Sequence, residues 1–257
     1  MSAATGTALV TGGARRIGRA IVEDLAAHGF AVAIHANRSI AEAEELAQAI
    51  NRAGGRAAAL GADLADRAAA DGLVAAAEAA LGPPTLLVNS ASVFTDDTAL
   101  DFRWEDWDRH FALHVEAPAL LARRFAEALP KAREGLIVNI VDQRVRRLTP
   151  RYFSYTLSKA ALWTATQTLA QALAPRIRVN AIGPGPTLKN ARQEDADFAA
   201  QVDGLILKRG PDLSEFGATI RYLWEARSVT GQMIALDGGR HLDFPDKRGP
   251  TPRKTAK

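Results

Sequence analysis

Short apolar runs along the chain alternate with longer stretches whose apolar residues recur at helical spacing. The short runs predict seven strands, at residues 7–11, 31–35, 56–61, 85–89, 135–141, 176–182 and 232–236. The longer stretches predict helices at residues 16–28, 40–53, 65–81 and 104–129, and one more helix that contains Tyr155.

The predicted strands are apolar on both faces and are separated by helices. Strands of this kind form parallel sheets that are covered on both sides, and right-handed crossovers distribute the helices over the two faces. We therefore expect an α/β fold with a doubly wound parallel sheet of about seven strands. A barrel of eight β/α units is the alternative, and it requires one more unit than the pattern contains.

The chain has 257 residues, 47% of them hydrophobic, which is enough for one large α/β domain or two small ones. No apolar run approaches the roughly 20 residues that a membrane helix needs, and the first residues lack the pattern of a secretory signal. There is no cysteine, which excludes disulfides, thiolate metal sites and a cysteine nucleophile. We expect a cytoplasmic protein with no metal ion and no membrane contact.

The net charge of +3 is a property of the end of the chain. Residues 245–257 hold five basic side chains and one aspartate, so they carry +4 and leave −1 on the remainder. Three prolines and few apolar residues predict a flexible extension there. We expect one folded domain over residues 1–244, followed by a solubilising tail and no nucleic-acid partner; nucleic-acid binding by the tail is the less favoured alternative.

A glycine-rich turn follows the first predicted strand and opens the first helix. It contains Gly12, Arg16, Ile17 and Gly18. Glycines permit a tight turn and let a pyrophosphate approach the backbone, while the free N–H groups of the helix favour an anion. This placement makes Gly12, Arg16 and Ile17 candidate contacts to a dinucleotide.

The second strand ends in His35-Ala-Asn37-Arg38-Ser39, a segment without an acidic residue. An acidic side chain at this point would bind the ribose hydroxyls of NAD. A guanidinium instead suits the oxygens of a 2′-phosphate. Arg38 and Ser39, with His35 and Asn37 beside them, therefore favour NADP(H). The alternative is that Arg38 is an ordinary solvated residue at the start of a helix.

Further candidate cofactor contacts follow three other strands, at the sheet edge where open α/β folds bind ligands. They are Asp63 and Leu64 after the third strand, Asn89, Ser90 and Ala91 at the end of the fourth, and Pro184 and Gly185 after the sixth. We expect the first group at the adenine, the second near the adenosine ribose and the centre of the sheet, and the last over the nicotinamide.

Tyr155 and Lys159 are four residues apart, so on a helix they share one face. A cation beside a phenol favours the phenolate, and we expect Lys159 to lower the pKa of Tyr155 from its usual value of about 10. Such a pair predicts a proton donor for the reduction of a polar double bond.

In this order and spacing, the residues resemble the short-chain dehydrogenase/reductase family from Thr11 to about Leu242. The resemblance rests on the glycine-rich turn and on Asn89-Ser90-Ala91, Tyr155-x-x-x-Lys159, Arg178-Val-Asn180, Pro184-Gly185 and Asp237-Gly238-Gly239. It implies a Rossmann-type NADP-binding reductase, a homotetramer, and a catalytic Tyr155 and Lys159 that also contact the cofactor.

Within that family the chain is most similar to the pteridine reductases and the dihydromonapterin reductases. Arg16 replaces the usual middle glycine of the turn, and residues 35–39 resemble the NADPH-selecting segment of those enzymes. Ser92-Val-Phe94 resembles their pterin-binding segment, and Asp142 replaces the usual serine thirteen residues before Tyr155.

This similarity implies reduction of a dihydropterin to its tetrahydro form. Phe94 and Ser92 would bind the flat ring, Arg16 would serve both the pyrophosphate and a polar edge of the substrate, and Asp142 would accept hydrogen bonds from ring N–H groups. Tyr155 would hand over a proton. An ionised Asp142 close to Tyr155 would also oppose Lys159, unless it is partly protonated or directed at substrate donors. The alternative for Phe94 is a plain core aromatic.

The chain departs from the usual family pattern at His114, which stands where an asparagine is common. It is either a feature of the subfamily or an ordinary helix histidine. Ser90 in place of an asparagine is a milder change. The polar segment 187–209 is expected to be irregular, as either a lid that orders with ligand or a surface connection.

Two other functions are compatible with the sequence. A reductase of a ketone, quinone or 3-oxoacyl group would keep Tyr155 and Lys159 and leave Asp142 and Phe94 without a role. A non-catalytic nucleotide sensor or nucleic-acid-binding protein has only the basic tail in its favour.

Overall fold

The computed structural model describes residues 5–189 and 194–242. Seven strands form one parallel sheet in the order β3-β2-β1-β4-β5-β6-β7, which confirms the predicted fold. The strands are β1 (Gly6–Thr11), β2 (Phe30–Ala36), β3 (Arg56–Gly61), β4 (Leu86–Asn89), β5 (Gly135–Ile140), β6 (Ile177–Pro184) and β7 (Met233–Leu236).

Helices cover both faces of the sheet. They are α1 (Arg16–Ala27), α2 (Ile40–Arg52), α3 (Arg67–Leu81), α4 (Trp104–Phe111), α5 (Ala117–Ala128), α6 (Phe153–Leu173), α7 (Asp195–Asp203) and α8 (Ser214–Glu225). Side chains of α1, α2 and α8 pack in one core cluster, and side chains of α3, α5 and α6 pack in another.

The central strand β1 shows why its sequence is apolar throughout. Ala8 and Val10 pack in the cluster of α1, α2 and α8, whereas Leu9 packs in the cluster on the opposite face. Successive side chains of a strand point to opposite faces, so a sheet that is covered twice needs apolar residues at every position.

The predicted helix 104–129 is interrupted, which corrects the sequence expectation. A π-helical turn, Ala112–Glu116, separates α4 from α5. Pro118 lies in the first turn of α5. Proline has no N–H and its ring crowds the carbonyl four residues earlier, which here belongs to His114, and the wider turn relieves that contact.

Two other helices were not predicted. Helix α7 lies inside the segment 187–209 that the sequence predicted to be irregular, and α8 lies between that segment and β7. Residues 190–193 of the same segment, and the tail 245–257, lie outside the described residues, as does the end of the proposed 1–244 domain.

The strand order reverses between β1 and β4, which are neighbours in the middle of the sheet. Thr11 and Asn89, the last residues of these strands, are paired in register. Open α/β sheets bind ligands in the crevice beyond such a point. The fold therefore predicts a ligand site at the carboxyl ends of β1 and β4.

Candidate active site

A cavity of about 520 Å³ lies at this edge. Most of the predicted catalytic, substrate and nicotinamide-side residues line it together: Gly12, Arg16, Ile17, Ser90, Ala91, Ser92, Phe94, Asp142, Tyr155, Lys159, Pro184 and Gly185. The residues predicted to bind the nicotinamide, to bind the substrate and to donate the proton therefore surround the same cavity.

A second cavity of about 200 Å³ adjoins the first and shares Gly12, Arg15, Ala91 and Ser92 with it. It is lined by the residues predicted for the adenosine end of a dinucleotide: His35, Asn37, Arg38, Ser39, Asp63 and Leu64. The two cavities together form one crevice, with the predicted adenosine-side residues in one part and the predicted catalytic residues in the other.

The turn after β1 is closely packed around Gly12. This residue has φ +64°, and a Cβ atom there would lie 2.9 Å from Cα of Ala91, so only glycine fits without strain. Its N–H donates to Nδ1 of His35 at 3.2 Å, while Nε2 of His35 lies 3.1 Å from the carbonyl of Ala62. Burial lowers the pKa of His35, and both ring nitrogens are used to hold the turn.

Arg16 also has a positive φ, of 54°. The glycine that is usual at this position would adopt that conformation freely, whereas arginine pays strain energy for it. Its guanidinium donates to the carbonyl oxygens of Leu188 and Lys189, each at 3.1 Å. Arg16 thus joins the turn after β1 to the segment after β6 across the mouth of the cavity.

The reaction end of the crevice contains the three predicted catalytic side chains. The hydroxyl of Tyr155 donates to Oδ2 of Asp142 at 2.9 Å, and the ammonium of Lys159 donates to the carbonyl of Ile140 at 2.8 Å. All three are buried. The Nζ atom of Lys159 lies 5.8 Å from the ring centre of Tyr155.

The structure corrects the expected pKa of Tyr155. Burial, with the charge of Asp142, raises that pKa well above its usual value, and the cation that lowers it is Arg144. Burial lowers the pKa of Lys159 to about 8, although Asp142 works in the opposite direction. The Tyr155 phenol therefore holds its proton firmly, and the carboxylate governs it more than Lys159 does.

Phe94 is no core residue, since 44% of it is exposed. Its ring stacks on Tyr152 with centres 4.6 Å apart and meets Tyr155 edge-on at 4.8 Å. The carbon Cζ of Arg144 lies 4.8 Å from the centre of the Tyr152 ring. An aromatic wall thus stands beside Asp142 and Tyr155, suited to a flat ligand.

His114 lies in the π-helical turn and connects two walls of the cavity. Its Nε2 atom accepts the N–H of Val93 at 3.3 Å and lies 2.9 Å from Oγ of Ser92, so the proton is on Nδ1, which donates to Ser158 at 2.8 Å. Burial, Lys159 and a second histidine hold the pKa of His114 well below its usual value. This neutral imidazole fixes the Ser92 segment against the helix of Tyr155.

The second histidine, His110, repeats this arrangement one turn earlier. Its Nδ1 atom lies 2.8 Å from Oγ of Ser154, whose hydroxyl donates to the buried carboxylate of Asp97. His110 and His114 stack with ring centres 5.6 Å apart, and both meet Tyr155 edge-on. Two histidine–serine pairs therefore brace the ring of Tyr155.

Asn89 lies at the predicted end of β4, where it is buried. It lines neither of the two cavities, and its amide donates to Oδ1 of Asn139 at 2.8 Å, which links β4 to β5. The sequence also missed several residues that do line the crevice: Arg109 at the adenosine side, Arg15 in both cavities, and Gln143, Arg144, Thr187, Leu188, Phe198 and Gln201 at the reaction side.

Within residues 5–189 and 194–242, no group of three or more histidine and acidic side chains is arranged to hold a metal ion. In the same part of the chain, no helix combines the length and the apolar character needed to cross a membrane.

A doubly wound parallel sheet, a glycine turn after β1 and a Tyr-x-x-x-Lys helix at the carboxyl edge define an oxidoreductase of the short-chain type. Residues 12–241 match the family model described as enoyl-(acyl carrier protein) reductase. A short-chain type dehydrogenase/reductase of Picea abies is 33% identical over 248 residues, 91% of each chain. The chain therefore belongs to the short-chain dehydrogenase/reductase family.

Two further similarities concern particular enzymes. The crystal structure of FolM alternative dihydrofolate reductase 1 from Brucella canis, complexed with NADP, is 58% identical, with a TM-score of 0.92 over 96% of this chain and 98% of that one. Dihydromonapterin reductase of Klebsiella pneumoniae is 36% identical over 138 residues, 52% of this chain and 57% of that enzyme. These similarities confirm the subfamily that the sequence indicated.

Proposed function

We propose that this protein is an NADPH-dependent reductase that converts a dihydropterin to its tetrahydro form. The observation that carries the proposal is the carboxylate of Asp142, 2.9 Å from the hydroxyl of Tyr155 inside the cavity. A carboxylate accepts hydrogen bonds and donates none when ionised, so it favours a substrate rich in N–H groups.

The crevice fits NADP(H) at both ends. The left-handed turn at Gly12 and the N-terminus of α1 suit a pyrophosphate. Arg38, exposed in the smaller cavity, suits a 2′-phosphate. A bound nicotinamide supplies the hydride. The crystal structure of the Brucella canis relative, described as an alternative dihydrofolate reductase complexed with NADP, supports both the cofactor and the pterin-like substrate.

The reaction end fits a flat, polar bicyclic ring. Phe94 would lie against one face of the ring, and offset stacking of this kind contributes about 0.5–1.5 kcal/mol beyond the buried area. Asp142 would accept from ring N–H or amino groups, which simple ketones lack. The rim at Arg16 adds donors for a polar edge of the substrate.

Tyr155 is the proposed proton donor. Because its pKa is raised, the phenol is protonated at neutral pH and has a proton to give. Hydride addition to carbon of the C=N bond leaves an electron pair on nitrogen, and that nitrogen takes the proton from Tyr155 directly or through water. Lys159 would bind the nicotinamide ribose and hold positive charge near the transferred hydride.

A short-chain reductase of a ketone, quinone or 3-oxoacyl group is the second candidate, because Tyr155 and Lys159 alone suffice for it. The family model that matches residues 12–241 is described as an enoyl-(acyl carrier protein) reductase, which also acts on an acyl group, although on its C=C bond rather than on a carbonyl. A comparison of turnover rates distinguishes the two candidates. Dihydropterins are assayed with NADPH, and ketones, quinones and 3-oxoacyl thioesters are assayed under the same conditions.

The assembly and the location belong to the same proposal. We expect a homotetramer in the cytoplasm, by similarity to the family. Light scattering of the purified protein tests the tetramer, and a mass that corresponds to one or two chains would contradict it.

A further inference from the structure

Arg144 has no role in the function proposed above, yet it touches the centre of the site. Its backbone N–H donates to Oδ1 of Asp142 at 2.8 Å, and its Nη1 atom donates to Oδ2 at 3.0 Å. The second of these oxygens is also the acceptor of the Tyr155 hydroxyl, at 2.9 Å. One residue thus holds both oxygens of the carboxylate while Tyr155 binds one of them.

The guanidinium of Arg144 is itself held in place. Its carbon Cζ lies 4.8 Å from the ring centre of Tyr152 and 5.5 Å from that of Phe94. Tyr152 adopts a left-handed conformation, with φ 60° and ψ 47°, which costs energy for an aromatic residue. In this conformation the Tyr152 ring contacts Phe94 and two arginines, Arg144 and Arg151.

Charge reinforces this geometry. Asp142 raises the pKa of Tyr155, and Arg144 acts against it. Lys159 directs its ammonium at the carbonyl of Ile140 instead. Among the described residues, Arg144 is the cation whose side chain is hydrogen-bonded to the Asp142 carboxylate, and its removal would leave this buried carboxylate without that direct partner.

We propose that Arg144 is a positioning residue that fixes the Asp142 carboxylate on the hydroxyl of Tyr155 and thereby sets the geometry of proton donation. The proposal predicts a change in kcat and a change in structure. The predicted change in kcat rests on the proposed function, because it assumes that Tyr155 donates the proton. The predicted change in structure concerns only the contacts among Arg144, Asp142 and Tyr155, and does not depend on that function.

The structural consequence is tested without substrate. The chain has three tyrosines, so labelling of their ring carbons Cζ with carbon-13 gives three resonances by NMR. We expect Arg144→Met to shift the Tyr155 resonance and Arg144→Lys to return it towards the parent position. Arg146→Met is the matched control, because Arg146 is exposed and donates to the carbonyl of Met233. A Tyr155 resonance that Arg144→Met leaves in place overturns the proposal.

The kinetic consequence is tested by a double-mutant cycle with NADPH and a dihydropterin. Arg144→Met should lower kcat at least about tenfold, with the Kd for NADPH unchanged. In an Asp142→Asn background, the same change should lower kcat less than about twofold, since a residue that acts through Asp142 has nothing further to position. Equal fold losses in both backgrounds overturn the proposal. A parent enzyme that is inactive on every dihydropterin contradicts the proposed function instead, and the NMR result then decides the role of Arg144.

Discussion

The hydroxyl of Tyr155 donates a 2.9 Å hydrogen bond to Oδ2 of Asp142, so the proposed proton donor is bound to a carboxylate before any substrate enters. This contact raises the pKa of Tyr155 in addition to the effect of burial. A phenol in this state keeps its proton until a substrate nitrogen becomes more basic than usual, as it does when hydride adds to a C=N bond. The same carboxylate can accept hydrogen bonds from N–H groups on the ring of a bound substrate.

Replacement of Asp142 by serine tests this relationship. Asp142 caps the short turn Gln143–Val145 through the N–H of Arg144, and a serine can take over that cap. The variant therefore removes the charge and keeps the turn. We expect Asp142→Ser to lower dihydropterin reduction at least about tenfold, with NADPH binding, measured by fluorescence, intact. Unchanged turnover of dihydropterin would refute the role of Asp142.

The sequence predicted the sheet and most of the crevice because both follow from local patterns. Every residue of β1, β2, β4 and β5 is buried, as the apolar runs require. Candidate residues at strand ends come together because parallel strands end at one edge.

The parts that the sequence did not predict depend on tertiary contacts between loops. Nothing in the spacing distinguishes Arg144 from Arg146 or Arg147 in the same short segment. Likewise, the four-residue spacing of Tyr155 and Lys159 does not reveal that the ammonium turns to the carbonyl of Ile140. The interrupted helix had a local signal in Pro118, but the pairing of His114 with Ser158 did not.

Arg38 is expected to select the phosphorylated cofactor. Its guanidinium is exposed in the smaller cavity, where Asn37 and Ser39 are its neighbours. Arg38→Ala should raise the Kd for NADPH about tenfold, which corresponds to the loss of one charge-assisted contact, and leave the Kd for NADH nearly unchanged. Calorimetric titration with both cofactors measures this. Equal losses for NADPH and NADH would show that Arg38 does not contact the 2′-phosphate.

His114 is expected to contribute to stability through its buried hydrogen bonds. His114→Leu leaves the N–H of Val93 and the hydroxyls of Ser92 and Ser158 without this partner. The free energy of unfolding should therefore fall by about 2 kcal/mol or more, as measured by urea denaturation. His28→Leu serves as the control, because His28 is exposed, and should cost less than about 0.5 kcal/mol. A His114 variant as stable as this control would contradict the network.

Lys159 predicts a pH dependence of cofactor binding. Its pKa is lowered to about 8, so the ammonium is present below that pH and is lost as the pH rises through it. NADPH is an anion, and its Kd should rise between about pH 7 and pH 9 as the positive charge disappears. Lys159→Arg keeps its charge over this range. The Kd of this variant for NADPH should therefore vary less with pH than the Kd of the parent protein, whatever its absolute value. An equally steep pH profile in the variant would show that another group causes the dependence.

The central claim, reduction of a dihydropterin, is tested most directly by NADPH oxidation with a panel of substrates. The panel contains dihydromonapterin, dihydrobiopterin and dihydrofolate, set against a ketone, a quinone and a 3-oxoacyl thioester, with Tyr155→Phe as the inactive control. We predict that at least one dihydropterin has a kcat/KM at least about tenfold above that of every carbonyl substrate. Turnover of a carbonyl substrate with no turnover of any dihydropterin would contradict the claim.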